Sequence, residues 1–141
     1  MTQMQPHLTP ADGNALLADN FAPWVQDLGL VVEYLDESGV ATLRLPWSDR
    51  LARQGGAMSG QALMAAADTT TVLAIAAARG GFIPMTTVQL STTFQRAIVD
   101  TDTLVTARVT KLGRSLAFAD VTLTANEQLA AHATTVYAIL G

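Results

Sequence analysis

The chain has 141 residues, half of them hydrophobic and only 14% charged, with 12 acidic against 8 basic side chains and a formal net charge of −4. That length suits one domain with its own core, and the composition excludes a disordered chain. The acidic balance leaves no basic stripe to neutralise phosphates, which excludes nucleic acid as a partner, and the absence of cysteine excludes disulfides, thiolate catalysis and Cys-type zinc sites.

Residues 1–27 hold Pro6, Pro10 and Pro23 around "PADGNALLADNFAPWV", where Leu16, Leu17 and Phe21 share one apolar face. This predicts a lead-in with one short helix, ahead of a single domain over residues 28–141. The opening residues lack a basic stretch followed by an apolar one, so no signal peptide is read and a cytoplasmic protein is expected. "LGLVVEYLDESGVATLRLP" alternates on both sides of "DESG" and reads as a β-hairpin ended by Pro46. "WSDRLARQGGAM" follows as a loop.

A long helix comes next. The Ser59 hydroxyl can accept an N–H of the first turn, and Gly80 and Gly81 stop the helix after Arg79. Met64, Val72 and Ile75 lie on one side, Leu63, Ala66 and Leu73 on another, and alanine fills the rest, the pattern of a buried helix. Asp68 and Thr69, Thr70 and Thr71 interrupt the run, so it reads as falling short of a membrane span. Four segments rich in Val, Thr, Leu and Phe follow, "FIPMTTVQLSTTFQRA", "DTLVTARVTKL", "RSLAFADVTLTAN" and "QLAAHATTVYAIL". Their short joins predict an antiparallel meander, and the whole an α+β domain with the sheet curled around one helix.

Asp68 is the anomaly, with no Lys or Arg within ten residues on either side. A carboxylate in an apolar helix is costly unless it is hydrogen-bonded, and such a group suits a general base for water or a nucleophile. Equally, it could be a structural acid satisfied by Thr71 or by a cap across a subunit boundary. The N–H groups of the first turn, at Ser59 and Gly60, are preorganised donors for a developing oxyanion, and Gly60 lets a ligand approach the backbone. The same serine is also an ordinary helix cap. Eight residues of helix separate Gly60 from Asp68 by roughly 12 Å, too far for both to touch one reacting group, so a working site would draw on two chains.

From about Trp24 to Leu140 the sequence resembles the hotdog-fold acyl-CoA thioesterases, in particular the phenylacetate-degradation branch. That branch has a loop ending in His-Gly-Gly at the start of a helix and an acid nine residues after the His. Here "SGQALMAAAD" puts Ser59 at the His position, Gly60 and Gln61 at the two glycines, and Asp68 at the acid. In "PMTTVQLSTTFQRA", Thr87 stands where a Ser or Thr commonly helps hold the nucleophilic water. The resemblance implies a hotdog fold and hydrolysis of an acyl-CoA thioester without a cofactor or metal, by Asp68, Thr87 and the Gly60 N–H. It implies substrate contacts at Ser59, Gln61, Arg53 (where the family often has Asn) and Arg114 and Ser115 of "LGRS", a turn near the pantetheine arm. It also implies a homodimer or homotetramer with sites at the dimer interface.

Arg96, Arg108, Lys111 and Arg114 form a basic group in the strand half, and His7 and His132 read as structural. Because Ser59 and Gln61 replace the family's His and Gly, a non-catalytic module that binds acyl-CoA or a small aromatic ligand is the alternative, with a purely structural dimerising domain as a third reading.

Overall fold

A computed structural model of the chain describes residues 7–141, so the expectations for the first residues and Pro6 lie outside the described part. Helix α1 (Pro10–Asn20) begins at a capping box, in which Thr9 Oγ1 accepts the Asp12 N–H and the Asp12 carboxylate accepts the Thr9 N–H. It buries Leu17 and rests on the first hairpin strand, while Pro23 starts a second, one-turn helix, α2 (Pro23–Gln26), where a single short helix was expected. The hairpin is as expected, with β1 (Val31–Asp36) and β2 (Val40–Leu45) paired antiparallel. A short 3₁₀ turn, Asp49–Leu51, lies in the loop that follows.

The central helix α3 spans Gly60–Arg79, with Ser59 Oγ accepting the Ala62 N–H and Gly80 ending it at φ 80°, the left-handed conformation that glycine adopts without strain. By length and composition it is apolar enough to cross a bilayer, contrary to the expectation drawn from Asp68 and the threonines. The sheet wraps it instead, and 72% of that stretch is buried inside the protein, the state of a core helix.

The remaining strands are β3 (Met85–Phe94), β4 (Thr103–Leu112), β5 (Leu116–Ala125) and β6 (Gln128–Ile139). All pairings are antiparallel, in the order β1-β2-β4-β5-β6-β3. This corrects the meander. β4, β5 and β6 do follow one another, β5 and β6 through a two-residue turn at Asn126 and Glu127, both at positive φ. β3 pairs with β6 and not with β4, because the strand ends at Phe94 and leaves residues 95–102 as a crossing segment.

That segment is tied down on its way. The Gln95 and Arg96 N–H groups donate to Ala130 O, the Met58 N–H donates to Ile98 O, and Ile98 is buried. Crossing three strand spacings is roughly 14 Å, well within its reach. The core lies between the concave face and α3, with Leu43, Leu45, Leu73, Ile75, Val105, Val121 and Leu123 almost wholly buried.

Candidate active site

Three elements converge on Asp68. Thr87 on β3 and Tyr137 on β6 are register partners, so their side chains leave the sheet together, toward the helix. Thr87 Oγ1 donates to Asp68 Oδ1 at 2.9 Å, and the Tyr137 hydroxyl donates to the same oxygen. The Asp68 carbonyl oxygen also lies 3.1 Å from the phenol. Among the described residues Asp68 Oδ2 has no hydrogen-bond partner and the carboxylate no ion pair. Burial, and then the charge of Asp68, pushes the Tyr137 phenol up from its ordinary value, so it stays a donor.

Asp68 is not enclosed in the single chain. Gln61 is exposed and Met64, Ala65 and Asp68 are partly so, which makes one open stripe along an otherwise covered helix. The expectation of a helix covered on all sides therefore holds from Thr69 to Ala77 and fails along this stripe. The alternative partner for Asp68, Thr71, is turned elsewhere: its hydroxyl donates to Ala67 O.

Gly60 stands at the head of the helix, where the Ser59 hydroxyl is engaged by Ala62 and the Gly60 and Gln61 N–H groups have no partner in the helix. Phe94 lies over it, such that a Cβ at Gly60 would sit 3.3 Å from the ring. Arg53 and Arg96 join Gly60, Leu63 and Phe94 around an open cleft of about 410 Å³. Arg96 therefore stands with Arg53, not with the basic residues farther along the strands. The Arg53 guanidinium folds back to donate to Gln54 O at 3.0 Å. Ser59 and Gln61 line a second cleft of about 290 Å³ on the other side of the helix start, with Trp24 and Arg50.

Two expected substrate contacts lie elsewhere. Arg114 and Ser115 occupy the β4–β5 turn, and Arg79, the last residue of α3, donates to Gly113 O there. The helix length puts that turn roughly 28 Å from Gly60 within one chain. Arg108 pairs across strands with Val40 and Asp120 and joins neither group. No cluster of three or more metal-ligating side chains occurs among the described residues.

Sequence reasoning missed Tyr137 and Phe94. The signal for Tyr137 was present: it falls in phase with the inward residues Ala133, Thr135 and Ile139 of β6, and a buried phenol needs a hydrogen-bond partner.

The sequence model of the thioesterase superfamily matches residues 55–131, more than half of the chain. The chain belongs to the thioesterase superfamily. The matched segment of this thioesterase-superfamily member takes in the glycine loop, Gly60, Asp68 and Thr87, and stops short of Tyr137. Its sheet curled around one long helix is the hotdog fold. Zebra fish thioesterase superfamily member 2 is 26% identical at a TM-score of 0.81, over 94% of this chain and 99% of that one. The Escherichia coli PaaI protein of the phenylacetic acid degradation operon is 16% identical at a TM-score of 0.81, over 94% of each chain, and so shares the fold. A hypothetical thioesterase from Streptococcus pneumoniae, solved with coenzyme A, is 18% identical at a TM-score of 0.73, over 79% of this chain and 86% of that one. No curated protein sequence matches the chain.

Proposed function

We propose that this protein hydrolyses acyl-CoA thioesters at sites built from two chains. The observation that carries the reading is the carboxylate of Asp68, held by two hydroxyls on one oxygen and open on the other, on the one exposed stripe of a core helix. The superfamily membership and the coenzyme A in the Streptococcus pneumoniae structure support the substrate class.

In this reading Asp68 takes a proton from water as the water oxygen bonds to the thioester carbon. Gly60 N–H of the partner subunit stabilises the oxyanion, worth about 10²-fold or more in rate. The carbon–sulfur bond then breaks, and the CoA thiolate leaves with the proton that Asp68 took up. Direct attack by Asp68, followed by hydrolysis of the mixed anhydride, uses the same groups. Thr87, bonded to Asp68, still has lone pairs to accept a water proton.

The two-chain requirement rests on the roughly 12 Å between Gly60 and Asp68 along one helix. It is supported by β3, a sheet edge with unpaired backbone groups and exposed Val88 and Phe94, which suits pairing with a second copy. A partner subunit is also what would bring the distant Arg114 and Ser115 toward a CoA held near Gly60.

The test is subunit complementation on a panel of short, long and aromatic acyl-CoAs. Gly60→Val and Asp68→Asn should each lower kcat/KM by about 10²-fold or more as pure proteins. Mixed and allowed to exchange subunits, they should regain a share of wild-type activity, because a hybrid dimer holds one intact site. No recovery after verified exchange would sink the two-chain site. Tight binding of acyl-CoA without turnover by the wild type would select the non-catalytic module, the reading favoured by Ser59 and Gln61 in place of His and Gly.

A further inference from the structure

Two donors reach Asp68 Oδ1 from very different settings. Thr87 is exposed on an edge strand, next to a register irregularity at Val88. Tyr137 is 3% exposed on an interior strand between β5 and β3, so its ring is locked by packing and can turn about only two side-chain torsions. A phenol carries one proton. With the carboxylate nearer than the carbonyl 3.1 Å away, that proton is committed to Oδ1.

We infer that Tyr137 is a positioning residue, which anchors Asp68 Oδ1 from the core and thereby assigns Oδ2 as the oxygen that meets water or the thioester. The inference rests on the hydrolytic reading of Asp68 and extends it to a residue outside the segment shared with the superfamily. Several features of the site agree with it. The Asp68 side chain sits at the edge of the open stripe, where solvent offers competing orientations. A donor fixed by the core selects one of them, and Thr87 then serves as a second, adjustable contact. The phenol is also kept protonated by its burial and by the neighbouring charge, so the anchor persists across the working pH range.

Tyr137→Phe removes the hydroxyl and keeps the ring. The expected result is a fall in kcat of about 10- to 100-fold with KM within about twofold, as for a misplaced reacting group. In an Asp68→Asn background the same change should cost nothing further, since the two act as one unit. An unchanged kcat, or an equal loss in both backgrounds, would overturn the inference while leaving hydrolysis by Asp68 intact. Independently of turnover, proton NMR should show a protected, downfield Tyr137 hydroxyl resonance that disappears in Asp68→Ala; its absence from the wild type also overturns the inference. Wild-type hydrolysis by Asp68→Asn would instead remove the reading on which it rests.

Discussion

The two halves of the central helix share one alanine-rich composition and differ in their surroundings. From Thr69 to Ala77 every residue is buried, whereas from Gly60 to Asp68 an open stripe runs through Gln61, Met64, Ala65 and Asp68. Two of the three threonines in the covered half bond back to the helix itself. Thr70 and Thr71 donate to the carbonyls of Ala66 and Ala67, and Thr135 donates to Thr71 Oγ1. Asp68, at the boundary, is satisfied only on one oxygen. One half thus builds the scaffold, and the other presents a carboxylate with unused capacity.

Substitutions that separate the two roles test this division, beginning with the largest expected effect. Asp68→Asn keeps the shape and removes the charge, so hydrolysis of acyl-CoA should fall by about 10³-fold while the melting temperature holds or rises. A lower melting temperature with retained turnover would make Asp68 part of the scaffold. On the other half, Leu73→Ala leaves a cavity in the core and should cost about 3 kcal/mol, a drop on the order of 10 °C in melting temperature. Its kcat per folded molecule should stay near wild type, and loss of turnover without loss of stability would break the comparison.

The smallest effect is alkaline. The folded value of Tyr137 is raised above the unfolded value near 10, so its contribution to stability is complete below about pH 10 and is lost as the pH climbs beyond. Melting temperatures measured from pH 8 to 11 should therefore fall more steeply for the wild type than for Tyr137→Phe. Parallel curves would mean that the phenol is not held from the core.

Much of this was legible in the chain itself. The cap at Ser59, the stop at Gly80, the hairpin about "DESG" and the turn at Asn126 depend on neighbours a few residues away, and each came out as the sequence implied. The hydrogen bond from Thr87 to Asp68 was not read from the sequence, where the family resemblance gave Thr87 only as a holder of the nucleophilic water. Arg96 was set apart from Arg108, Lys111 and Arg114, because it lies at the start of the crossing segment 95–102 beside Arg53 while the other three lie on β4 and the turn after it.

Sequence by itself determined the α+β class, the length of the central helix, and the one carboxylate that its apolar pattern cannot explain. Local forces suffice for these, since hydrophobic period, capping and turn chemistry act within a few residues. Tertiary structure alone decided that β3 leaves β4 to pair with β6. Strand partners are chosen by which edge and which face can be buried, a property of the whole sheet. From that choice follows the register that sets Thr87 beside Tyr137, 50 residues apart in sequence, and directs both hydroxyls at one oxygen of Asp68.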